Sequence, residues 1–186
     1  MAKLKILGIP GSLRQHSYNK GLLRAAQQLV GPDAEIETFE IKNIPPFSED
    51  DEKNPPERVT EFKKKIREAD GILFVTPEYN YSIPGVLKNA IDWASRPYGD
   101  SAWANKPAAI MGASVGPTGT ARAQYHLRQV FVFLNMHDMK QPELMVGAAG
   151  QKFDAEGNLT DEETKKYLKR FLDAYVAHLK NLHHHH

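Results

Sequence analysis

The chain has no cysteine. That excludes disulfide bridges, cysteine nucleophiles and cysteine-ligated metals, and it agrees with a reducing compartment. Long hydrophobic runs are missing too: no stretch approaches the roughly 20 apolar residues that cross a bilayer. Lys3 and Lys5 interrupt the first apolar residues, so no signal peptide is expected and a cytoplasmic location is. Neither sign of charge dominates. The 24 Lys and Arg offset the 23 Asp and Glu to a formal net charge of +1, without the basic footprint of a nucleic-acid binder or an acidic tail. Histidine is scarce once His183–His186, which reads as a purification tag, is set aside. The other four (His16, His126, His137 and His178) show no HxxH or HExxH spacing, so no zinc site is expected.

What is present is an alternation of short apolar runs and amphipathic stretches within 186 residues, enough for one domain over 1–182. Leu4–Ile9 reads as a first strand and Tyr18–Val30 as a helix that Gly31-Pro32 stops. Ala34–Ile41 alternates through Ile36, Phe39 and Ile41 as a second strand. A Pro- and acid-rich loop follows, then a helix over Glu57–Ala69 with Val59, Phe62 and Ile66 on one face. Gly71–Thr76 is a third strand and Gly85–Ser95 a third helix; Pro107–Ala113 is a fourth strand and Thr120–Leu134 a fourth helix. Met139–Val146 reads as a fifth strand interrupted near Pro142. Asp161–Leu179 is a closing helix, with Tyr167, Leu168, Phe171, Leu172 and Tyr175 facing in and a capping box at Thr160–Glu163. Such alternation means an α/β fold: a parallel sheet with helices on both faces, a three-layer sandwich. Five strands in one small domain favour the flavodoxin-like order 2-1-3-4-5.

Ligands bind at the carboxyl edge of such sheets, so the loops after the strands matter most. The loop after strand one matches neither GxGxxG nor GxxxxGK[ST]. It nevertheless suits a phosphate: Gly11 permits a tight turn, Ser12, Ser17 and Asn19 are neutral donors, Arg14 brings charge, and a helix N-terminus follows. A capping cluster with a surface arginine has the same composition. The loop after strand three, Pro77–Ser82, offers a carboxylate (Glu78), two phenols (Tyr79, Tyr81), an amide (Asn80) and a hydroxyl (Ser82) around free backbone N–H groups. That mixture suits a flat heterocycle with polar edges; an ordinary loop with exposed tyrosines is the plainer reading. In a 2-1-3-4-5 sheet the two loops are neighbours, and FMN, with a phosphate at one end and a planar ring at the other, would bridge them.

The segments GSLRQHSYN (11–19), PEYNYSIPGVLKNAIDW (77–93) and GASVGPTGTARAQYHLRQV (112–130) resemble the motifs of the NADPH-dependent FMN reductase family, in the same order, including its quinone, azo-dye and chromate reductases. The resemblance implies that Gly11, Ser12, Leu13, Arg14, Ser17 and Asn19 surround the FMN phosphate. It implies that Pro77, Glu78, Tyr79, Asn80, Tyr81 and Ser82 border the isoalloxazine and that Ser114 and Gly116 close its other side. Two departures from the family pattern stand out: Pro10 replaces a small polar residue, and Thr120 stands where a second glycine is common.

The expected activity is hydride transfer from NADPH or NADH through FMN to quinones, azo compounds, flavins or metal oxyanions by a ping-pong cycle. The flavin carries that chemistry, so no catalytic residue is named. The alternative is a flavodoxin-type electron carrier that does not oxidise NAD(P)H directly. A hydrolase triad on Ser12 or Ser114 is not expected, and His126 and His137 read as structural. Trp103 reads as half-buried. The apolar residues of the fourth helix (Leu127, Val130, Phe131, Leu134) exceed one buried stripe, which with the resemblance points to a homodimer or homotetramer.

Overall fold

The computed structural model describes residues 2–184. Its strands are β1 (Leu4–Pro10), β2 (Ala34–Thr38), β3 (Gly71–Val75), β4 (Pro107–Ala113), β5 (His137–Asp138) and β6 (Leu144–Val146). Its helices are α1 (Tyr18–Leu29), α2 (Glu57–Glu68), α3 (Gly85–Ala94), α4 (Ala121–Leu134) and α5 (Glu162–His183). All pairings are parallel, and the sheet order is β2-β1-β3-β4-β5 with β6 also paired to β4. This is the flavodoxin-like order that the strand count implied.

The fifth strand is split as its proline predicts. β5 pairs with Pro107 and Ala108, β6 pairs with Met111–Ala113, and the chain leaves the sheet between them, where Pro142 has no N–H for the ladder. β2 stops at Thr38, short of the alternation that runs on to Ile41; Phe39 and Ile41 are buried from the following coil instead.

Strand side chains alternate between two cores. Leu73 and Val75 of β3 join Leu22, Leu23, Leu168, Phe171, Leu172 and Leu179 under α1 and α5. Ile72 and Phe74 join Phe62, Ile66, Leu87, Ile91, Leu127 and Phe131 under α2, α3 and α4. Trp103, expected half-buried, lies wholly inside the second cluster, with its indole N–H donated to Ile91 O at 3.0 Å. A buried indole finds such a partner.

The α5 start differs from the expected capping box. Asp161 is the N-cap: its carboxylate accepts from Thr164 N at 2.9 Å and Thr164 Oγ1 at 2.6 Å, so Thr160 lies outside the cap. Tyr167, expected inside, is exposed and bonds Glu163 at 3.1 Å, while Tyr175 is buried and donates to Ile72 O at 2.8 Å. His183 is the last residue of α5; His185 and His186 of the expected tag lie outside the described residues. Among the described residues no helix is long and apolar enough to cross a membrane.

Candidate active site

The adjacent strands β1, β3 and β4 end at nearly one level. Pro10 pairs with Val75 and Val75 with Met111; beyond them Gly11 N donates to Val75 O (2.9 Å) and Thr76 N to Met111 O (3.0 Å). Strands about 4.8 Å apart therefore deliver three loops side by side at the carboxyl edge. Pro10 costs the ladder nothing. Main-chain donors alternate sides, and its nitrogen faces the β2 side, past the last β1–β2 pair at Gly8–Thr38.

The first loop, Gly11–Ser17, is built to receive an anion. The N–H groups of Ser12, Leu13, Gln15 and His16 donate to no acceptor among the described residues. Ser17 caps α1 through its oxygen, which accepts from Asn19 N (3.1 Å) and Lys20 N (3.3 Å). Ser12 Oγ accepts from Arg14 N at 3.2 Å. Both hydroxyls are buried, and each keeps its own O–H to donate. Arg14 is exposed, pairs with no carboxylate among the described residues and lies 5.6 Å from the Tyr18 ring centre. No acidic side chain occupies the first turn of α1, so nothing neutralises the positive end of its dipole. A Cβ on Gly11 would come within 3.1 Å of the Pro77 ring, where the first and second loops touch.

Asn19, expected among the phosphate ligands, does something else. It is 3% exposed, and its amide is spent on β4: Nδ2 donates to Ala113 O at 3.1 Å and Oδ1 accepts from Ala113 N at 2.9 Å. It ties α1 to the strand that carries the third loop. The pattern SxxxxSxN signalled a polar cluster but not this partner, 94 residues away.

The second loop closes as a tight turn. Tyr79 N donates to Ser82 O (2.9 Å) and Ser82 N to Tyr79 O (3.0 Å), with Asn80 (φ 52°) and Tyr81 (φ 68°) left-handed between them. Two positive φ angles make a type I′ turn, in which asparagine is common at the first position and glycine at the second. Tyrosine at the second is strained. The N–H groups of Glu78, Asn80 and Tyr81 have no acceptor among the described residues and are available to ring-edge heteroatoms.

Glu78, expected against the ring, is turned to the protein, with its side chain 9% exposed. Its carboxylate accepts from Ala123 N (2.9 Å) and Arg122 Nε (2.8 Å), with Arg122 Nη2 at 2.7 Å. It thereby supplies the cap that Thr120 does not give α4. The Arg122 guanidinium lies 3.7 Å from the Tyr81 ring centre, and His126 Nδ1 meets Ser82 Oγ at 2.9 Å. These three contacts make the start of α4 the frame of the second loop, a role sequence inspection missed. Arg122 and His126 share a helix face at i, i+4 spacing, the one signal that pointed there.

The third loop begins at Ser114, whose N donates to Val146 O at 2.9 Å. Gly112-Ala113-Ser114-Val115-Gly116 has the GxSxG spacing of a hydrolase elbow. Ser114 Oγ, however, meets only Gly116 O, at 3.4 Å, and no histidine. Gly116 has open space where a side chain would be. Gly119 (φ 57°) packs on β6, where a Cβ would fall 2.4 Å from the Met145 carbonyl carbon. Thr120 is left-handed too (φ 69°), which explains why glycine is the easier residue there. Buried, it accepts from Gln124 Nε2 at 3.1 Å and stiffens the loop's exit.

Free N–H groups and hydroxyls around one uncompensated arginine, beside a second row of free N–H groups flanked by tyrosines, fit the phosphate and ring edge of FMN. Similarity to known proteins agrees. Over 178 residues the chain is 48% identical to a 2-hydroxy-1,4-benzoquinone reductase of Burkholderia sp, covering 96% of this chain and 97% of that one. It is 49% identical over 180 residues to an NAD(P)H-dependent FMN reductase of Pseudomonas aeruginosa, again covering 96% and 97%. The solved structure of FerB, a flavoenzyme NAD(P)H:(acceptor) oxidoreductase from Paracoccus denitrificans, superposes with a TM-score of 0.88 at 38% identity, covering 96% of this chain and 98% of that one. The NADPH-dependent FMN reductase model matches residues 4–151. The chain belongs to the NADPH-dependent FMN reductase family and is an oxidoreductase with FMN as cofactor and NAD(P)H as co-substrate.

Proposed function

We propose that this chain passes electrons from NAD(P)H to quinones, and that azo compounds, free flavins and metal oxyanions are further acceptors. The observation that carries the reading is the pair of adjacent loops whose N–H groups and, in the first, whose arginine find no partner among the described residues, the second loop being flanked by exposed tyrosines. Ser12, Ser17, Arg14 and the free N–H groups of Ser12, Leu13, Gln15 and His16 would hold the FMN phosphate. Pro77–Ser82 would border the ring, with the N–H groups of Glu78, Asn80 and Tyr81 at its polar edge and Ser114 and Gly116 across it. When bound, FMN supplies the group that accepts and returns hydride.

The protein's part is to hold ring and reactant in register and to place amide dipoles where negative charge arrives. Glu78 is engaged by Arg122 and Ala123, so no free carboxylate opposes that charge in the second loop. Nicotinamide and acceptor use the same exposed face in turn, which makes the kinetics ping-pong.

The same reading includes self-association in the cytoplasm. Leu127, Phe131 and Leu134 are consumed by the core, and the surplus apolar surface of α4 is Val132 and Phe133, each 82% exposed. Phe133 also lines a cleft of about 670 Å³ between α3 and α4, with Tyr98 and Val130. A homodimer or homotetramer would cover them.

Anaerobic titration tests the reading. Protein saturated with FMN is mixed with NADPH, and in a second run with NADH, while the visible flavin band is followed. Rapid bleaching reversed by a quinone is expected. A bound flavin that stays yellow with both would make the protein an electron carrier, and failure to retain any flavin would undo the assignment of both loops.

A further inference from the structure

The strained turn of the second loop is clamped from outside, and the clamp has two jaws. One is the Glu78 carboxylate, which joins Arg122 and the α4 main chain at 2.7–2.9 Å. The other is the Tyr81 ring, with the Arg122 guanidinium 3.7 Å from its centre. Between the jaws lie the left-handed main chain of Asn80 and Tyr81 and the three N–H groups with no acceptor among the described residues. A tyrosine with φ near 68° persists only where its surroundings over-determine it. The α4 start is held the same way: Thr120 is left-handed, and Arg122 Nη2 also reaches Thr118 Oγ1 at 3.4 Å. One guanidinium thus touches the ring-bordering turn and the third loop together.

We propose that Arg122 is a positioning residue for the flavin ring, acting through Glu78 and Tyr81 rather than by contact with a reactant. This rests on the FMN reading above. Its fork aligns the free N–H groups of Glu78, Asn80 and Tyr81, so that they face negative charge when the ring is reduced. Cutting the clamp lets the turn relax, and those dipoles lose their aim. The reduced form then loses stabilisation relative to the oxidised form, and the midpoint potential falls.

A bare field effect of the cation also lowers the potential when Arg122 is removed, so the test cancels charge. The double variant Glu78→Gln/Arg122→Met removes one charge of each sign. The amide oxygen it introduces can still accept from Ala123 N, so the α4 cap survives. Redox titration of bound FMN in the full-length protein reads the outcome. Positioning predicts a tenfold loss in the reduced-to-oxidised ratio, about 30 mV more negative for a two-electron couple. A potential equal to wild type overturns the proposal.

Two single variants disturb the fold less, because one keeps the positive charge opposite Glu78 and the other changes an exposed ring. Arg122→Lys keeps the charge and loses the planar fork, so it should fall short of wild type; full recovery means that charge alone acts. Tyr81→Leu changes no charge on a ring that is 66% exposed, and should move the potential the same way by a smaller amount. A wild-type potential in either variant would overturn the proposal. Wild-type protein that retains no FMN at all would sink the cofactor reading first, before any variant is compared.

Discussion

Beyond Gly11, which bonds Val75, the first loop is held by its own neighbours, whereas the Pro77–Ser82 loop is held by a helix more than forty residues further along. In the first, Ser12 bonds Arg14 and Ser17 bonds Asn19 and Lys20, all within three residues. In the second, Glu78 bonds Arg122 and Ala123, and Ser82 bonds His126, across 44 or 45 residues. A loop held locally keeps its form as long as α1 stands, and its exposed arginine is free for a ligand. A loop held from afar depends on the packing of two elements and spends its charged side chain on that dependence. Substitutions in the first loop should therefore cost ligand, and substitutions at the long-range ties should cost stability or flavin chemistry.

The largest effect should fall where the local loop meets a long-range tie. Asn19→Ala leaves the N–H and C=O of Ala113 unpaired inside the protein. The loss should be about 2–4 kcal/mol of folding stability, at roughly 1–3 kcal/mol per unsatisfied buried group. Urea unfolding reads it, and a midpoint unchanged from wild type would dissolve the distinction between Asn19 and the loop's other polar residues.

Arg14→Ala tests the contrast from the opposite side. It should weaken FMN binding by about 1.5–3 kcal/mol, the range for a hydrogen bond to a charged group. Folding stability of the flavin-free protein should stay within about 0.5 kcal/mol, as for an exposed side chain without structural partners. Fluorescence titration with FMN measures the first quantity and urea unfolding the second.

Ser17→Ala probes a residue with both jobs. The lost cap should cost about 1 kcal/mol of stability, and FMN affinity should fall as well because an O–H donor goes with it. An affinity loss without a stability loss would mean that α1 is capped by something other than Ser17.

The smallest effect is expected at Thr120→Gly. Relief of the left-handed threonine is offset by loss of the Gln124 hydrogen bond and by the greater freedom of glycine in the unfolded chain. Net stability should stay within about 1 kcal/mol of wild type. A large gain would show that the strain is unopposed, and a large loss that the Thr120 hydroxyl anchors α4 as firmly as Glu78 does.

The layers, the sheet order and the edge where the three loops gather were legible in the chain alone. They follow from short-range regularities: apolar runs of strand length in β1, β3 and β4, helical stripes such as Val59, Phe62 and Ile66, and Gly or Pro between them. The three loops could be located in the same way, because the loops that follow parallel strands share one edge of the sheet.

The task of each polar residue in those loops was not legible, because packing assigns it. Asn19 and Arg14 are five residues apart, yet one is bound to β4 and the other faces outward. Glu78 and Asn80 share a loop, yet the side chain of one caps α4 and that of the other is exposed. Composition makes these residues equivalent as hydrogen-bonding groups. Burial separates them, because a polar group taken from water must find its partner wherever packing has placed one. In this fold the partners are the end of β4 and the start of α4, 94 and 44 residues away along the chain.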